Sequence, residues 1–157
     1  MAAQYTSTGA DTYPVGHIIQ MVTKCVESNS HVTLAADTAL TTLDGIFTLA
    51  ITPKLASSTL AMYCQIHPYG GTNLTFGYDI YDSRTSAFLG NVTSGWGLSG
   101  IGKTTSYGAN GCMVCASVGA GTTAARTYSL AFKSGGGSTL YNHSGGQFTF
   151  TIYEVRA

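Results

Sequence analysis

The chain has 157 residues, seven basic against seven acidic side chains, 44% hydrophobic residues and only 9% charged ones. That length suits one domain that buries a core without cross-links. The balanced, unclustered charge lacks the basic stripe that nucleic acid demands, no stretch has the apolar length of a membrane span, and the opening MAAQYTSTGADTYPVG lacks the charged-then-apolar order of a secretory signal.

Ordinary soluble domains carry roughly 25% charged residues. A chain so sparsely charged has little electrostatic protection against association, and the cores of protein interfaces are depleted in charge. The composition therefore predicts that partners cover much of the surface. The competing explanation is a surface kept wet by Ser, Thr, Asn, Gln and Gly.

In chain order, residues 1–15 read as a polar arm closing at Pro14, followed by a single domain over residues 16–157. Arms of this kind are often ordered by docking on a partner, and Tyr5, Tyr13 and Pro14 are its candidate docking residues. Residues 16–26, GHIIQMVTKCV, are rich in β-branched residues after a Pro/Gly break and predict a strand. The stretch 34–45, LAADTALTTLDG, holds three threonines among its leucines and is expected to be a loop or short extended segment rather than a helix. IFTLAIT at 46–52 alternates, with Phe47, Leu49 and Ile51 facing the core, and Pro53 ends it.

The run STLAMYCQIH (58–67) is continuous enough to predict a central strand, and Pro68-Tyr69-Gly70-Gly71 predicts a turn. Leu74, Phe76, Tyr78 and Ile80 recur with period two, and 86–92 predicts another short strand. Residues 93–111 carry six glycines and the only tryptophan, Trp96, and read as long loops. CMVCASV (112–118) and ARTYSLAFK (125–133) are strands. Residues 134–137 predict a hairpin-like connection to STLYN. In the closing strand QFTFTIYEV, Phe148, Phe150, Ile152 and Glu154 share one face. Eight or nine strands at this spacing predict an all-β antiparallel sandwich, a jelly roll.

Chemistry-bearing patterns are sparse. His17, His31, His67 and His143 are scattered without metal-ligand spacing. Cys112-Met-Val-Cys115 is a single CxxC without the second pair that structural zinc needs. In a strand its two side chains point to opposite faces, so Cys25, Cys64, Cys112 and Cys115 read as free thiols suited to a reducing cytoplasm. GIGKTTS (100–106) lacks phosphate-loop spacing. Asp79 and Asp82 read as turn formers ahead of Arg84 rather than as a catalytic carboxylate pair. No cofactor, metal or catalytic residue is expected. Tyr69, Tyr81, Trp96 and Tyr107, in or near Gly-rich loops, are the candidate contact residues, because loop aromatics anchor protein interfaces and stack on sugars.

The segments PVGHIIQMV, ITPKLASSTLAMYCQI and RTYSLAFKSGGGSTLYN with its FTFTIYEVRA ending resemble a family of small bacteriophage virion proteins. Gly16, Ile18, Ile19, Gln20 and Val22 match its first element. Thr52, Pro53, Ser57, Ser58, Leu60 and Met62 match its second, and Phe150, Ile152, Glu154 and Val155 its last. The chain departs at Thr59, where the family usually carries lysine, so the salt bridge of that lysine is not carried over. The resemblance implies a jelly-roll module, commonly a homotrimer, on a virion assembled in the bacterial cytoplasm. It would be a head decoration (cement) protein bound to itself and to the major capsid protein, or alternatively a tail-fibre module gripping host glycan. The short length, the methionine start and the lack of a fibrous repeat favour the head.

Overall fold

Alternation of apolar and polar positions keeps most of this chain extended. The computed structural model describes residues 14–26, 32–34, 39–43, 45–66, 68–70, 75–90, 97–102, 112–135, 139–141 and 148–157. In chain order the strands are β1 (Ile18–Val26), β2 (Val32–Leu34), β3 (Thr41–Thr42), β4 (Thr48–Ile51), β5 (Thr59–Ile66), β6 (Pro68–Gly70) and β7 (Thr75–Asp82). There follow β8 (Ala87–Phe88), β9 (Ser99–Gly102), β10 (Cys112–Gly119), β11 (Arg126–Ser134), β12 (Thr139–Tyr141) and β13 (Phe148–Val155). The helical structure among the described residues is one 3₁₀ turn at Gly45–Phe47.

Two sheets form the sandwich. One has the order β1-β13-β5-β10; the other has β3-β11-β7-β8, with β4 also on β11 and β9 also on β7. Taking β3 with β4 and β8 with β9 leaves eight principal positions. The first pairs with the last, the second with the seventh, the third with the sixth and the fourth with the fifth, all antiparallel. This is one long hairpin rolled up so that β13 lies against β5 and β11 against β7. It is the jelly-roll arrangement the strand count predicted. A small third sheet, β2-β12-β6, lies outside the roll.

The inward positions of both sheets meet in a core dominated by aromatic rings. Phe148, Phe150 and Ile152 come from β13, Leu60, Met62, Cys64 and Ile66 from β5, Phe76, Tyr78 and Ile80 from β7, and Tyr128, Leu130 and Phe132 from β11. Phe47 and Phe148 meet edge to face at 4.7 Å between ring centroids, and Tyr78 lies 5.6 Å from Phe132. Each such side chain contributes roughly 1.5–3 kcal/mol by leaving water, plus about 0.5–1.5 kcal/mol for a well-placed ring pair.

Two local expectations are corrected. Pro68–Gly70 is a strand, not a turn. It lies at the edge of the small sheet and pairs only with β12, where a missing proline N–H is tolerated. The glycine-rich stretch is not wholly loop, because Ser99–Gly102 pairs with β7. Gly97 ahead of it has φ +70° and lies so close to the backbone of Tyr78 that an added Cβ would collide with that carbonyl. Finally, the expected hairpin-like connection at 134–137 lies partly outside the described residues, and β12, which follows it, pairs with β2 and β6. Within 34–45 the described residues include Leu34 at the end of β2 and the short β3, and none is α-helical.

Candidate interaction surface

Strand alternation that fills the core from one side of β1, β5, β10 and β13 sends every second residue outward. Register sets these residues in rows across the sheet. Ile18, Val155, Thr59 and Gly119 make one row, and Met21, Tyr153, Ala61 and Ser117 the next. Thr23, Thr151, Tyr63 and Cys115 form the third; Cys25, Thr149, Gln65 and Met113 form the fourth. None of the sixteen is acidic or basic. The nearest lysine on these strands, Lys24, turns the other way and donates to the carbonyls of Gly45 and Thr48 at 3.0 and 3.2 Å.

This face is open to solvent. Ile18, Met21, Tyr63 and Met113 are 52%, 57%, 44% and 64% exposed, and Val15, just ahead of the sheet, is 77% exposed. These five are the large exposed hydrophobics among the described residues; four of them stand on this face, and Val15 lies in the turn that leads into it. Large apolar side chains gathered on one uncharged sheet face are the composition of an interaction surface. Tyr63 and Tyr153, whose rings meet edge to face at 5.8 Å, line one wall of a shallow, open hollow of about 530 Å³ bounded also by Gly16, Ile18, Ala61 and Val155.

Among the described residues, the other sheet presents no comparable surface. At its outward positions Asp79 and Ala131 are fully buried and Ser129 nearly so. Asp79 Oδ1 accepts from the N–H of Ile80 at 2.7 Å and of Gly90 at 3.0 Å, while Oδ2 has no hydrogen-bond partner among the described residues. Burial pushes its carboxyl above the ordinary value, against the pull of those N–H groups. Tyr81 also faces this way, half-buried, its ring edge to face with Phe88 at 5.3 Å.

The exposed face is held in place by a buried carboxylate. Glu154 follows the β13 alternation inward, beyond Ile152, and is fully buried. Its Oε1 accepts from the N–H groups of Lys54 and Leu55 at 2.9 Å and from Ser58 Oγ at 2.7 Å. Its Oε2 accepts from Gln20 Nε2 at 2.7 Å and from the Lys54 N–H at 2.9 Å. Gln20 Nε2 also reaches the Thr52 carbonyl at 2.8 Å. Burial opposes ionisation here, yet the donors from Lys54, Ser58, Leu55 and Gln20 outweigh it and hold the carboxyl below its ordinary value. The three segments that carry the sequence resemblance therefore meet at this carboxylate: Gln20 from the first, Thr52 and Ser58 from the second, Glu154 from the last.

A second buried charge lies close by, where the Ala120 N–H donates to the Ser58 carbonyl at 2.8 Å. Arg126 pairs with Asp82, donates from Nη1 to the carbonyls of Gly119 and Ala120 at 2.9 and 2.8 Å, and lies 5.3 Å from the centre of the Tyr128 ring. Burial pushes the Tyr128 phenol up to about 12, so it stays neutral. Asp82 also accepts from the Arg84 N–H at 2.9 Å, the turn role expected of it. Asp79, by contrast, lies in mid-strand and shapes no turn.

Of the expected contact residues, Tyr81 packs on Phe88 rather than standing at a loop tip. Tyr69 is in β6, its backbone paired with Leu140. Trp96 and Tyr107 lie outside the described residues, as do Tyr5 and Tyr13 of the arm. Pro14 is exposed, and its carbonyl accepts from the His17 N–H at 3.0 Å. Only Tyr69 and Tyr81 of the four loop aromatics fall among the described residues, and the exposed apolar surface these residues show is a sheet face. Cys25 and Cys115 are free and exposed on that face, and Cys64 is buried in the core.

No family model matches the sequence, and no curated protein matches it. Among solved structures the chain is similar to VP2 of infectious bursal disease virus. With the subviral particle the TM-score is 0.44 at 13% identity, covering 98% of this chain and 42% of that one. With a VP2 point mutant in T=1 particles the TM-score is 0.44 at 14% identity, covering 100% and 44%. With the T=1 particles derived from the virus it is 0.44 at 15% identity, covering 98% and 41%. The chain thus spans about two fifths of the solved chains it matches, and the likeness concerns fold alone.

Proposed function

We propose that this chain is a non-enzymatic structural protein of a bacteriophage virion, a head decoration protein that acts as a homotrimer on the particle surface. The observation that carries the reading is the four-stranded sheet whose sixteen outward positions hold no charge and whose large apolar side chains lie bare to water. A face of that composition is suited to being covered. The resemblance of Gln20, Ser58 and Glu154 to the phage family's motif supports the same reading, since these residues build the buried node that fixes the sheet. The free thiols Cys25 and Cys115 suit assembly in a bacterial cytoplasm.

In this role the protein binds copies of itself and the major capsid protein. Its hold on the particle comes from weak contacts multiplied by valency, with the arm of residues 1–15 as the docking segment. A second reading, a tail-fibre protein gripping host glycan, is favoured by the aromatic Gly-rich segment 93–111 with Trp96 and Tyr107.

Copy number in purified particles separates the two. Quantitative mass spectrometry should find hundreds of copies per particle for a head protein and at most a few tens for a tail protein. Absence from purified particles would overturn both.

A further inference from the structure

The exposed sheet carries an apolar knob beside an apolar hollow. Val15 is 77% exposed and directly precedes Gly16, which lines the open hollow walled by Tyr63 and Tyr153. We infer that the outer face of the β1-β13-β5-β10 sheet binds a second copy of this chain, with Val15 of one copy seated in the Tyr63–Tyr153 hollow of the next. The inference rests on the reading of the protein as an assembling subunit, and it names the surface and its occupant.

Three properties of the face select a copy of itself as the partner. Contact between identical chains requires a surface that complements itself, and here knob and hollow share a border on every copy. A charged face would meet its own like charges, whereas this one has none to repel its copy. The face also approaches the required size. Four strands about 4.8 Å apart and eight residues long at about 3.3 Å each span roughly 19 Å by 26 Å. Protruding side chains raise that flat area toward the roughly 800 Å² that each partner gives to a standard interface. Met21 and Met113, flexible and polarisable, adapt to an opposing sheet. The hollow is a poor sugar site, because its lining has no convergent set of polar groups around the two tyrosines. Either a two-fold pair or a closed ring of three satisfies the contact.

The test uses the full chain at micromolar concentration. Sedimentation velocity should give an oligomer for the wild type and a monomer for Val15→Asp and, independently, for Met21→Lys. Both positions are exposed, so circular dichroism should be unchanged. Thr85→Asp, in the turn of the opposite sheet, should sediment as wild type. Cys25 and Cys115 lie on the face and report its coverage directly. Their maleimide labelling should be slow in the wild type and at least roughly tenfold faster in the two face variants, because thiol reactivity follows access. A monomeric wild type, or face variants that keep the wild-type oligomer and labelling rate, would overturn the contact. A wild-type monomer that still copurifies with particles sinks this contact and leaves the virion reading standing. An oligomer absent from particles does the reverse.

Discussion

Gln20 and Glu154, separated by 134 positions, are joined side chain to side chain at 2.7 Å. The bond ties the first strand of the roll to the last, while the same carboxylate anchors the β4–β5 connection through Lys54, Leu55 and Ser58.

Glu154→Gln should therefore destabilise the fold far more than a surface change. The new amide keeps the shape but turns a hydrogen-bond donor toward groups that are themselves donors, leaving buried N–H groups unsatisfied at roughly 1–3 kcal/mol each. A loss of about 2–4 kcal/mol is expected by urea unfolding with an unchanged m-value. A loss below about 0.5 kcal/mol would mean that the carboxylate is not the anchor.

Acid should act on two buried carboxyls in opposite senses. Glu154, held below its ordinary 4.5, contributes stability that is present above that value and lost as pH falls through its lower folded-state pKa. Asp79, raised above its ordinary 3.8, penalises the folded state at neutral pH, and protonation on acidification removes the penalty. Wild-type stability should thus first rise on acidification and then fall. Asp79→Asn should lose the rise and Glu154→Gln should lose much of the fall, read from chemical denaturation across pH 3–7. Superimposable pH profiles for wild type and both variants would refute the assignment.

The Arg126–Asp82 pair should show strong coupling. Removing Asp82 alone leaves a buried guanidinium uncompensated, a loss of about 3–5 kcal/mol, whereas replacing both partners with apolar residues of similar volume is often neutral or stabilising. Asp82→Ala should be severely destabilised, and Asp82→Ala with Arg126→Met should recover much of the loss. Additive effects in the double-mutant cycle would show that the pair does not act as a unit.

Self-association through an uncharged face should ignore ionic strength. With no charged group on the sixteen outward positions there is nothing for salt to screen, so the dissociation constant should change less than about twofold between 0.05 and 0.5 M NaCl. Sulfate should tighten it, since excluded salts strengthen apolar burial. A steep weakening with NaCl would place the contact on charged residues elsewhere.

The period-two pattern at Phe148, Phe150, Ile152 and Glu154 was enough to put Glu154 on the core face, but not to explain it, because its donors at Lys54 and Ser58 lie about a hundred positions away in sequence. Only the rolled topology brings them together. The same holds for Arg126 and Asp82, which read locally as an ordinary strand end and a turn. The charge deficit announced an uncharged surface somewhere. Which sheet carries it depends on register: Met21 opposite Tyr153 and Cys115 opposite Tyr63 are pairings that no local pattern encodes. The loop aromatics attracted attention by residue type alone, and Tyr81 proved to be committed to Phe88. Pro68 and the glycines at 97–102 carry turn chemistry, yet backbone pairing with β12 and β7 needs no side chain and overrides it.

The rolled hairpin also implies an order in time. β7 and β8 are joined by the short turn of Ser83–Ser86, in which Ser86 holds φ 51°, whereas β1 and β13 stand at opposite ends of the chain. Closing the outer pair directly would fix a very long loop, but each inner pairing shortens the loop that the next must close. The molecule is thus expected to zip outward from the Ser83–Ser86 turn. Changes there would slow folding, while changes at the Gln20–Glu154 seam would mainly hasten unfolding.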